Sequence, residues 1–148
     1  MFKNLQNQIP NIEPDLQIGP LLLWVSGYTF INQIGQGDLA YLQTPILLDT
    51  ENMAIFSGMS QTPVFCIRKL LNELVIMYET IGNKQLVKFE SGDSEFSLEL
   101  ENNFGQIGLT IKYYSWLHSG SLEFEDEIDQ SYLPKIIRDL GKIIERFA

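Results

Sequence analysis

The run from Leu122 to Phe147, LEFEDEIDQSYLPKIIRDLGKIIERF, restricts the possible folds of this chain more than any other segment. Leu122 and Phe124 alternate with Glu123, Glu125 and Glu127, the period of two that marks a strand with one covered face. Past Asp129-Gln130-Ser131 the period changes. Leu133, Ile136, Ile137, Leu140, Ile143, Ile144 and Phe147 then fall on one stripe of a helix that must pack against a core. Ser131 is the expected N-cap, since it places Pro134 in the first turn, where its missing N–H leaves no helical bond unmade. An acidic strand therefore feeds a closing amphipathic helix.

The segments before it extend the pattern. Thr62-Pro63 reads as an N-cap followed by proline at the first helical position. Val64, Ile67, Leu70 or Leu71, Leu74, Met77 or Tyr78 and Ile81 then mark a helical stripe, stopped by Gly82-Asn83. Gln85–Glu90, Glu95–Glu101 and Gln106–Tyr114 are alternating strands. They are joined by Ser91-Gly92-Asp93 and by the hairpin signal Asn102-Asn103-Phe104-Gly105. Consecutive alternating strands with short turns make an antiparallel meander. The expected fold is α+β: a meander sheet covered on one face by two amphipathic helices, about 64–81 and 132–147.

The N-terminal half is less regular. Residues 1–20 form an irregular or partly strand-like lead-in, Leu21–Ile31 reads as one strand with a bend at Ser26-Gly27, and Gly35-Gln36-Gly37-Asp38 is a turn. Ile46–Leu48 and Met53–Phe56 suit short strands around a turn. With 148 residues, one domain spanning 1–148 is expected, large enough to bury a core without disulfides or metals.

Charge narrows the function. Of the net −9, the segment 85–129 carries −8, with Lys88 and Lys112 set against ten carboxylates. The closing helix is net +2, with Lys135, Arg138, Lys142 and Arg146 against Asp139 and Glu145. Phosphate backbones and anionic lipid surfaces would be repelled by the acidic half, so neither nucleic acid nor membrane is an expected partner. The lone Cys66, the absence of a signal-peptide pattern and the lack of a long apolar run make the cytoplasm the expected compartment.

Catalytic patterns are sparse. His118 and Cys66 are single residues of their kinds, too few for a zinc set. Cys66 is expected to act as a small hydrophobe and His118 as a surface or packed residue. Gly35-Gln36-Gly37 lacks the third glycine and the Lys-Ser/Thr of a phosphate loop. No cofactor, metal or enzymatic activity is expected. Pairing the four strands in order instead gathers Glu95, Glu99, Glu101, Glu123, Glu125 and Glu127 on the outward side, relieved by Lys88 and Lys112. Such a face is either a plain solvated surface or a docking surface for a cationic partner, with Tyr114 and Trp116 as candidate anchors.

The order of the C-terminal half resembles the WapI-like bacterial immunity proteins, antidotes to polymorphic contact-dependent toxins. The resemblance is carried by LVKFE, EFSLELE, QIGLTIKYY and SLEFEDEIDQSYLPKIIRDLGKIIERF, and above all by the Asp129–Leu133 junction, with Trp24 and Gly27 in the N-terminal third. It implies a non-enzymatic protein that occludes a toxin domain encoded beside it. The acidic surface would suit a basic toxin. An acidic secretion chaperone, which would require a homodimer, is the alternative binder; a small enzyme with carboxylates in a cleft is the third reading.

Overall fold

The computed structural model describes residues 8–80, 85–92, 95–115 and 120–147. Three antiparallel sheets and two helices share one buried cluster. The largest sheet is the expected meander, in spatial order β11-β10-β9-β8. Its strands are β8 (Gln85–Glu90), β9 (Phe96–Asn103), β10 (Gln106–Ser115) and β11 (Gly120–Asp129). The alternation that defines them also sorts their faces. Val87, Phe89, Phe96, Leu98, Leu100, Ile107, Leu109 and Ile111 are buried on one side. The β9–β10 turn uses Phe104 (φ 56°) and Gly105 (φ 96°), the left-handed pair that matches hairpin twist. Asn102 holds it by accepting the Gly105 N–H at 3.1 Å.

Helix α1 (Val64–Glu79) buries Val64, Ile67, Leu70, Leu74 and Met77, so Leu70 and Met77 rather than Leu71 and Tyr78 lie in the core. Its start differs from the expectation. Pro63 is itself the N-cap, in extended conformation, and the Val64 N–H donates to the Ala40 carbonyl at 2.9 Å. Thr62 is buried in a short strand instead, its hydroxyl 2.7 Å from that of Thr44. A loop carbonyl, one residue before the strand that begins at Tyr41, thus supplies the acceptor that a capping side chain would have provided. The expected stop at Gly82-Asn83, with Ile81, lies outside the described residues.

Helix α2 (Leu133–Phe147) buries Leu133, Ile136, Leu140, Ile143 and Phe147, with Ile137 and Ile144 half-buried beside them. Here the expected cap, Ser131, lies inside a 3₁₀ turn that leads into the helix, and Asp129 caps that turn. Its carboxylate accepts the Ser131 N–H at 2.8 Å and opens the turn over Gln130–Tyr132. The Leu133 N–H already takes the Gln130 carbonyl, the acceptor that an N–H at position 134 would use. Pro134 therefore costs the junction no bond.

The N-terminal strands complete the cover over the meander. β1 (Leu16–Ile18), β2 (Leu21–Leu23), β5 (Ile46–Asp49) and β6 (Ala54–Ser57) form one sheet. β3 (Gly27–Tyr28), β4 (Tyr41–Gln43) and β7 (Gln61–Pro63) form another. The expected single strand over Leu21–Ile31 is split because the chain passes between these sheets at Trp24–Ser26. There the Trp24 N–H bonds the Pro45 carbonyl, that of Val25 the Asp15 carboxylate, and that of Ser26 the Gln43 carbonyl. The lead-in is more built than expected, since Leu16 and Ile18 are core residues. Gly19, between β1 and β2, has φ 57°, and a Cβ there would stand 2.6 Å from Leu109 Cδ1. Only glycine lets this turn lie so close against the meander.

Candidate functional site: the outer face of the meander

The register of the four strands assembles the outward face row by row. Leu86, Glu101, Gly108 and Glu127 are successive partners across the sheet, as are Lys88, Glu99, Thr110 and Glu125. A third row runs Glu90, Ser97, Lys112 and Glu123. Tyr114 sits beside Ser121 at one end, half-buried. Glu99, Glu101, Glu123, Glu125 and Glu127 therefore share one surface, and all but the half-buried Glu99 are exposed. Among the described residues Lys88 and Lys112 relieve it. Lys88 Nζ lies 3.7 Å from Glu99, and Lys112 is flanked in register by Ser97 and Glu123. The five carboxylates stand on β9 and β11, to either side of β10, so like charge gathers along each strand and faces like charge one strand away.

Glu95 is not part of it. Its carboxylate accepts the Ser57 hydroxyl at 2.5 Å and the Tyr113 hydroxyl at 3.3 Å. It thereby joins β6 to the edge of the meander, a bond invisible in strand periodicity because Ser57 comes from another sheet. Trp116 and His118 lie outside the described residues. Gly108 was absent from the sequence-derived set, although period two from Thr110 and Lys112 would have included it. Its backbone does not require glycine, and a Cβ would meet nothing nearer than the Glu101 carbonyl at 3.9 Å. The missing side chain leaves a dip of about 130 Å³ in mid-face, edged by Leu86, Glu99, Glu101, Thr110 and Glu125.

The other cavities offer less chemistry. One, of about 640 Å³, lies between residues 13–15 and the basic side of α2. Its charges are largely matched: Lys135 bonds Asp139 at 2.7 Å, and Arg146 pairs with Asp15 at 3.3 Å and stacks 4.8 Å from the Phe147 ring. Cys66 is half-buried against the core, and burial raises its thiol pKa above the ordinary 9.0, partly offset by Lys69. A protonated thiol is a poor nucleophile. Among the described residues no group of three His, Cys, Asp or Glu is placed to hold a metal. No described helix is long and apolar enough to cross a membrane.

The most distinctive feature is thus a charged sheet face. The chain belongs to the Immunity protein WapI-like family, whose match spans residues 12–148. The match reaches into the N-terminal third as well as the junction at Asp129–Leu133. No curated protein and no solved structure matches the chain.

Proposed function

We propose that this immunity protein neutralises a cognate toxin domain, encoded beside it and basic in character, by docking the outer face of the β8–β11 meander against it in the cytoplasm. The observation that carries this reading is the register itself. Glu99, Glu101, Glu123, Glu125 and Glu127 are brought onto one surface from two strands, β9 and β11, a concentration of like charge that a cationic partner would relieve. Complementary charge of this kind raises the association rate and turns away wrong partners. Affinity would rest on a few anchors within an interface of about 800 Å² per partner. Tyr114 at the end of the face and the dip over Gly108, sized for an inserted side chain, are the candidate anchors. Inhibition by occlusion needs no catalytic group on this side of the complex.

The test is rescue. Cells expressing the toxin domain encoded next to this chain should survive when the wild-type protein is present. They should die when Glu99, Glu123, Glu125 and Glu127 are all changed to Gln, provided that circular dichroism shows the variant folded. Equal protection by the two proteins would overturn the reading.

A further inference from the structure

The face ends at a strand with an unpaired edge. β11 is the terminal strand of its sheet, bonded among the described residues only to β10. Which of its backbone groups look outward follows from one bond. The Tyr114 N–H donates to the Glu95 carbonyl at 2.7 Å, so the even-numbered residues of β10 turn their amides and carbonyls toward β9. The odd-numbered ones turn toward β11 and bond Leu122, Phe124, Asp126 and Ile128, their partners in register. Ser121, Glu123, Glu125 and Glu127 are left with backbone N–H and C=O groups pointing away from the sheet. An independent bond agrees: the Glu127 N–H donates to the Asp126 carboxylate at 2.8 Å rather than to β10. Among the described residues no other backbone bond reaches these outward groups.

We infer that the partner adds a strand to the open edge of β11, along Ser121–Glu125, through a segment that alternates basic and apolar side chains. This rests on the docking reading above and specifies its geometry. Strand addition supplies affinity through the main chain and specificity through alternate side chains. A strand laid along β11 would set every second side chain beside Glu123 and Glu125 on the acidic face. The intervening side chains would cover Leu122 and Phe124, which are half-buried at the edge. A second copy of this chain is the wrong occupant, because pairing β11 with itself would bring carboxylates against carboxylates. The opposite edge is less suited. β8 is six residues against ten, alternates Leu86, Lys88 and Glu90 outward, and is continued by Ser91-Gly92, whose Gly92 N–H bonds the Gln61 carbonyl of β7.

The probe is a short blocked peptide of alternating arginine and valine, with a control of the same composition in block order. Titrated into the full chain, the alternating peptide should slow amide exchange at Ser121, Glu123 and Glu125 and leave Leu86, Lys88 and Glu90 unchanged. Glu125→Pro removes an outward N–H that the β10 ladder does not use, and edge strands tolerate such a proline. It should weaken peptide binding about fivefold to tenfold more than Glu125→Gln, the loss of one net hydrogen bond beyond the charge. Equal effects of the two substitutions, with no slowing at the three amides, would overturn strand addition and leave the acidic-face reading standing. Failure of the alternating peptide to bind, or binding no better than the block peptide, would also overturn it. The rescue experiment decides the acidic-face reading separately. If Glu125→Pro does not fold, amide exchange in the wild-type protein alone decides.

Discussion

Asp129 accepts the Ser131 amide where β11 passes into α2, and this bond gives the junction a pH dependence. The bonds from Ser131 hold the Asp129 carboxyl below its ordinary 3.8. A carboxyl depressed on folding contributes stability that is present above its unfolded pKa and lost as pH falls through the lower, folded value. Asp129→Ala should therefore lower the thermal midpoint at neutral pH, and the gap from wild type should close in acid below the ordinary carboxylate range. A gap that persists unchanged in acid would contradict this. Phe104 is the other residue under local constraint, since it holds φ 56° with its side chain 78% exposed. Asn is the favoured residue at such a hairpin position, and Phe104→Asn should raise stability by about 1 kcal/mol in urea unfolding. Cys66, raised by burial, should alkylate slowly at neutral pH, accelerating only above the usual thiol range.

At the scale of elements, the two helices share the core with the meander through residues that are almost wholly buried, Leu74 at 0% and Leu140 at 1%. Either one changed to Ala should cost about 2 to 5 kcal/mol, read by chemical denaturation. Both helices and the four meander strands were legible in the sequence because each is long enough to show its period several times. Glu99, Glu101, Glu123, Glu125 and Glu127 could be placed together for the same reason, since hairpins with short connections leave little freedom in register. The N-terminal sheets were harder. β4 and β7 have three residues each and β3 has two, too few alternations to stand out from loops. Leu21–Ile31 carries the pattern of one strand but serves two sheets, a change imposed by Asp15, Gln43 and Pro45 from elsewhere in the chain. The caps misled for a related reason: Thr62 was drawn into a buried bond with Thr44, and a 3₁₀ turn absorbed the proline at 134.

At the scale of the molecule, charge is divided between two surfaces. The meander's outer face is acidic, while α2 presents Lys135, Arg138, Lys142 and Arg146, two of them paired with acids beside them. The asymmetry gives the protein a preferred side of approach for a cationic partner. Because the charged side chains on the outer face are mostly exposed, salt should screen them strongly. The central claim is that this face steers and holds the toxin. Its most direct test is the association rate constant with a cognate toxin domain, measured by stopped flow from low to high salt. The wild-type rate should fall by about tenfold or more across that range, and the variant with Gln at 99, 123, 125 and 127 should start slow and respond little. A variant that associates as fast as wild type, with the same salt dependence, would contradict the account.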